Sequence, residues 1–104
     1  MPFFPIDETL NLVPGYRKAI FLEGRSLLLF QPEEDPYLIK NQCPHMDIAL
    51  SDAEISSDEL RCRAHGIAFE LGDGKAIGPL TDVLPCLEFY PVVYEGRFIG
   101  VELD

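Results

Sequence analysis

The chain of 104 residues has no tryptophan, only two histidines and only three cysteines. Positive charge is also scarce, with eight Lys and Arg against eighteen Asp and Glu, a net −10 at neutral pH. So acidic a surface repels phosphate backbones and anionic lipid, and neither nucleic acid nor a membrane is expected as a partner. Three cysteines are too few for a disulfide scaffold. No apolar run approaches the 18 or so residues of a membrane-spanning helix. The start, Met1-Pro2-Phe3-Phe4-Pro5-Ile6-Asp7, lacks the basic and long apolar regions of a signal peptide, so a cytoplasmic protein is expected. No nucleotide-binding glycine motif occurs, and no stretch carries the periodicity of a long helix.

What remains reads as short strands and turns. Phe3 to Ile6 suits an edge strand because its prolines cannot donate to a ladder. Thr9 to Val13 suits a brief helical turn closed by Pro14-Gly15. Tyr16 to Leu22 and Arg25 to Gln31 form a hairpin about Glu23-Gly24, and Tyr37 to Lys40 a third strand beyond the charged Pro32–Pro36 loop. Ala53 to Ser56 and Leu60-Arg61 suit a small hairpin, and Ala68 to Leu71 a returning strand. Ala76 to Leu84 is irregular. Leu87 to Tyr94 and Arg97 to Leu103 are expected to pair about Glu95-Gly96. Leu27, Leu29, Ile39, Phe69, Val92 and Val101 are expected in the core, with Cys86 as a small buried apolar residue. Residues 1–104 are expected to be a single all-β domain.

Against this ordinary background stand two clusters. Cys43-Pro44-His45 is followed, after sixteen intervening residues, by Cys62-Arg63-Ala64-His65-Gly66. Both histidines and two of the three cysteines fall here, and each cluster offers one thiolate and one imidazole. Zinc modules usually pair like with like, two Cys in one knuckle and two His on a helix. A mixed pair instead suits a binuclear cluster, Cys43 and Cys62 on one iron and His45 and His65 on the other. A mononuclear zinc site in a binding module is the alternative.

Cys-x-His, the spacer and Cys-x-x-His resemble the Rieske [2Fe-2S] family, as do the flanking Leu50-Ser51, Phe69, Gly78-Pro79 and Tyr90-Pro91-Val92. The resemblance implies stacked antiparallel sheets with a cluster-binding subdomain of two hairpin loops at about 41–71. It implies one [2Fe-2S] cluster per chain, held by Cys43, His45, Cys62 and His65, and Gly78-Pro79 as a shielding loop. The chain departs from the family where Asp47 and Arg63 replace a common glycine and proline. Ile48 and Ala64 stand where respiratory members carry a second cysteine pair, and Ile67 where they carry a serine. The chain resembles the soluble Rieske ferredoxins serving aromatic-ring oxygenases.

The implied function is that of a soluble one-electron carrier rather than an enzyme. Its donor is expected to be a flavin or iron–sulfur reductase and its acceptor a terminal oxygenase. A Rieske subunit of a nitrite reductase is the alternative. Pro44 and Met46 suit an apolar docking rim, and Asp47, Asp52 and Glu70 suit contacts with a basic partner.

Overall fold

The computed structural model describes residues 1–44, 48–63, 66–79 and 81–104. Among these are ten strands: β1 (Phe3–Glu8), β2 (Tyr16–Leu22), β3 (Arg25–Gln31), β4 (Tyr37–Lys40), β5 (Glu54–Ile55), β6 (Glu59–Arg61), β7 (Ala68–Glu70), β8 (Phe89–Tyr90), β9 (Val93–Glu95) and β10 (Phe98–Glu102). A single 3-10 turn spans Thr9–Asn11. The strands form three antiparallel sheets, ordered β1-β10-β9, β2-β3-β4-β8 and β5-β6-β7. The all-β architecture is as expected.

The run Leu27-Leu28-Leu29-Phe30 explains the layering. A strand covered on one face alternates apolar and polar, whereas a continuous apolar run requires cover on both faces. Side chains point alternately to opposite faces of a strand, and both faces of β3 are covered. Leu27 and Leu29 join Leu38, Ile6, Ile99, Val101 and Leu103 in one core. Leu28 and Phe30 join Ile39, Leu50, Leu60, Phe69, Cys43 and Cys62 in a second. The four-stranded sheet is thus the middle layer, with the β1-β10-β9 sheet on one side and the small sheet with its loops on the other. Tyr37 stacks on Phe30 at 5.5 Å between ring centroids, within the layer that faces the loops.

Two expectations are corrected. Leu87 to Tyr94 is not one arm of a hairpin with Arg97 to Leu103. The chain pairs with β4 through Leu38↔Tyr90 and Ile39↔Phe89, breaks at Pro91, and pairs with β10 through Val93–Glu95. Pro91 has no N–H to donate, which suits the crossing between two sheets. Only the second half makes the expected hairpin, about Gly96 with φ 61°. Cys86 is exposed rather than buried. Its neighbour Leu87 takes the inward position at 4% exposure, its N–H donating to the Gly74 carbonyl at 2.8 Å. Val92 is half-buried at the margin of the core, whereas the other five expected core residues are buried.

Candidate metal centre

Two loops carry the cysteines into the second core, the first running from β4 of the middle sheet to β5 and the second from β6 to β7 within the small sheet. Each is closed in nested fashion around its cysteine. In the first, the buried Asn41 side chain accepts the Leu50 N–H on Oδ1 at 2.6 Å. Inside that bond, the Cys43 N–H donates to the Ile48 carbonyl at 2.8 Å. In the second, the ladder pair Arg61↔Ala68 forms the base. Inside it, the Cys62 N–H donates to the Ile67 carbonyl at 2.9 Å. Both closures bridge the cysteine to the fifth residue beyond it, so two unrelated stretches adopt the same local construction.

Further bonds tighten the second loop. The Gly66 N–H donates to the Cys62 carbonyl at 2.8 Å, and Arg61 Nη1 to the Gly66 carbonyl at 2.6 Å. Gly66 takes φ +67°, in the left-handed region, while a Cβ there would meet nothing within 4 Å among the described residues. Its backbone freedom is what the turn uses. Arg63 Nε donates to the Asp52 carbonyl across the two loops. From β2, Arg17 Nη1 donates to the carbonyls of Ser51 at 2.9 Å and Ala53 at 2.7 Å.

Cys43 and Cys62 are each 2% exposed, belong to the same core, and are thiols rather than disulfide halves. His45 and His65 lie outside the described residues, as do Met46, Asp47, Ala64 and Leu80. A cleft of about 360 Å³ opens beside the first loop, lined by Lys40, Gln42, Cys43, Pro44, Pro85 and Cys86 among others. Pro44 is half-buried, and Asp52, Glu70 and Pro79 are exposed. Two supports were not read from the sequence, Asn41 and Arg17. Asn41, two residues before Cys43, carried a weak signal as a polar residue ending a strand. Arg17 acts 34 and 36 residues along the chain and carried none.

Two buried thiols heading matched loops fit a shared metal centre, since a thiolate is the ligand form and needs a compensating cation when buried. Residues 3–88 match the Rieske [2Fe-2S] domain. The chain belongs to that family. Its cofactor is accordingly one [2Fe-2S] cluster per chain, and a mononuclear zinc site is set aside. The ferredoxin component of the naphthalene 1,2-dioxygenase system of Pseudomonas putida is 28% identical over 95 residues, 90% of this chain and 88% of that one. The ferredoxin of carbazole 1,9a-dioxygenase from Nocardioides aromaticivorans IC177 has the same fold, with a TM-score of 0.82, 21% identity and full coverage of both chains. A chain from the complex of reduced oxygenase and oxidised ferredoxin in carbazole 1,9a-dioxygenase superposes with a TM-score of 0.81 at 19% identity, covering 98% of this Rieske chain and 97% of that one. No helix among the described residues is long and apolar enough to cross a membrane.

Proposed function

We propose that this chain is a cytoplasmic one-electron carrier, without catalytic activity of its own, that passes electrons from a flavin or iron–sulfur reductase to a terminal oxygenase. The carrying observation is the pair of buried cysteines on equivalently closed loops in a chain of this family. The names of its relatives, ferredoxin components of dioxygenase systems, support the choice of acceptor. Thiolate ligands persist in a reducing compartment, which supports the location. We take residues 1–104 as one domain and Cys43, His45, Cys62 and His65 as the ligands.

When bound, the cluster supplies reversible one-electron exchange. The chain supplies the rest. Cys43 and Cys62 would bring two thiolates into a water-poor core, and His45 and His65 would add two neutral imidazole ligands. With two sulfides and two ferric ions, these ligands would make a neutral site that one added electron would take to −1. The acidic surface favours encounter with a basic partner face, an advantage that salt removes as the Debye length falls to about 10 Å at 0.1 M.

Anaerobically purified protein should hold two irons and two acid-labile sulfides per chain. Reduced protein should give an electron paramagnetic resonance spectrum with an average g value below that of all-cysteine clusters, because imidazole donates less charge than thiolate. His45→Cys or His65→Cys should move that signature, and Cys43→Ser or Cys62→Ser should lose the cluster. Stopped-flow mixing of the reduced chain with an aromatic-ring oxygenase should oxidise it, more slowly at high salt. Iron-free zinc protein overturns the ligand assignment. A full cluster that no oxygenase oxidises overturns the choice of acceptor.

A further inference from the structure

Three consecutive carbonyls, of Ser51, Asp52 and Ala53, accept hydrogen bonds from two guanidinium groups that reach them from different elements. Arg17, on edge strand β2, uses one Nη1 for Ser51 and Ala53. Arg63, the residue after Cys62, uses Nε for Asp52 between them. The ridge is itself a closed turn, with the Ala53 N–H donating to the Leu50 carbonyl at 3.0 Å. Leu50, at its start, is fully buried and is the residue whose N–H the Asn41 side chain holds. The end of the first loop is therefore fixed by the middle sheet through Arg17 and by the second loop through Arg63.

The charges are as informative as the bonds. Among the described residues, neither Arg17 nor Arg63 has a carboxylate within ion-pair distance, although acidic side chains outnumber basic ones by eighteen to eight. Asp52 meets Arg63 with its backbone, not its carboxylate. Two cations are thus held on neutral acceptors, Arg63 on the loop that carries Cys62 and Arg17 at the turn that ends the first loop. Reduction of the bound cluster adds one negative charge with no bond made or broken, so a cation beside it that has no ion pair among the described residues favours the reduced form.

We propose that Arg63 is a positioning residue for the cluster, its Nε–H clamping the second loop to the turn that ends the first and its charge holding the potential up, with Arg17 anchoring the same turn to the middle sheet. This rests on the reading that Cys43 and Cys62 bind the cluster.

Two substitutions separate clamp from charge. Arg63→Lys keeps the charge but places a methylene where Nε stands. Arg63→Gln removes the charge but places an amide Nε2–H at the same distance along the side chain. Arg63 is exposed, so neither change disturbs a core. The holoprotein variants, with Arg63→Ala, are compared by the rate of iron loss to a chelator and by protein-film voltammetry. Loss of one hydrogen bond should speed iron release about fivefold in the Lys and Ala variants and leave Gln near wild type. Loss of an exposed charge should make reduction about threefold less favourable in Gln and Ala, about 30 mV lower at 59 mV per tenfold for one electron, and leave Lys unchanged. Arg17→Met should also speed release, and its combination with Arg63→Ala should be non-additive, because both act on one turn.

Equal release rates in wild type, Lys, Gln and Ala overturn the clamp. A Gln variant with the wild-type potential overturns the role of the charge. Strictly additive Arg17 and Arg63 effects overturn the shared turn. A wild-type chain that never acquires iron and sulfide instead refutes the ligand assignment itself, an outcome distinct from all three.

Discussion

Replacing Asn41 by alanine should loosen the first loop by a calculable amount. Asn41 is 8% exposed, and its Oδ1 is the acceptor for the N–H of Leu50, itself fully buried. Alanine leaves that N–H without its side-chain acceptor. An orphaned buried donor costs about 1–3 kcal/mol. At about 1.4 kcal/mol per tenfold, local opening at Leu50 becomes about 5- to 150-fold more frequent. A bound cluster makes unfolding other than two-state, so amide hydrogen exchange on the holoprotein is the appropriate assay. The Leu50 amide should lose protection by that factor in Asn41→Ala. Strand β10, in the opposite layer, should be unaffected. Gln42→Ala, in which no described side-chain bond is lost, should stay within about 0.5 kcal/mol of wild type. A Leu50 amide equally protected in Asn41→Ala and wild type refutes the reasoning, because the side-chain bond would then carry no closure energy.

Gly100→Ala should destabilise strongly, by about 1–3 kcal/mol or more. A Cβ there would lie 2.1 Å from the Phe4 carbonyl oxygen, which cannot move without breaking the β1–β10 ladder. Thermal denaturation checks this against Gly24→Ala, where no described atom lies within 4 Å and only the φ of +77° opposes the change. A second pair of variants addresses pH. Bonds from Asn11 Nδ2, the Tyr16 hydroxyl and the Glu8 N–H hold the Asp7 carboxyl below the usual carboxylate range. That stability is present above the unfolded pKa near about 4 and is lost as pH falls through the folded value, so Asp7→Asn should flatten the acid limb of the stability curve. Burial, then the bond to Asp7, pushes the Tyr16 phenol up. Its contribution is complete below about pH 10 and is lost as pH rises through the folded value, so Tyr16→Phe should flatten the alkaline limb. Denaturant midpoints across pH measure both, and unchanged limbs would remove these groups from the pH response.

Local patterns made much of this fold readable. Leu27 and Leu29 were legible as core, whereas the burial of Leu28 and Phe30 on the other face of the same strand emerged only with the small sheet packed against it. The two mixed Cys/His clusters pointed to one shared centre before any neighbour was placed. Pairings set by competition between distant elements were less legible. Leu87 to Tyr94 has strand character throughout, yet Pro91 divides it between two sheets because β4 and β10 each claim one half. Cys86 and Leu87 are both apolar, and only the Leu87 bond to Gly74 decides which turns inward. Arg17 lies more than thirty residues from the carbonyls it holds, and nothing near it marks that role.

The layering also determines what cluster loss should do. Cys43 and Cys62 belong to the same core as Leu50, Leu60, Phe69 and Phe30, whereas Leu27, Leu29, Ile99 and Val101 pack in the other. Metal binding free energy is folding free energy wherever the ligands are part of a core. Removing iron leaves the two buried sulfur ligands without the cation they hold. Strands β5, β6 and β7 contribute two, three and three residues, too few to hold a sheet unaided. In the β1-β10-β9 sheet, β1 and β10 have six and five residues and pack with the middle sheet around the other core. Hydrogen exchange on apoprotein should therefore show lost protection at Leu60, Phe69 and Leu50, with Ile99, Val101 and Leu29 still protected. Because β3 faces both cores, Leu28 and Phe30 amides mark the boundary and should be protected through their ladders with β2 and β4. Uniform loss at both cores would show one cooperative unit, and uniform retention would show that the loops close without metal. Either result refutes a cluster that folds one layer and leaves the other standing.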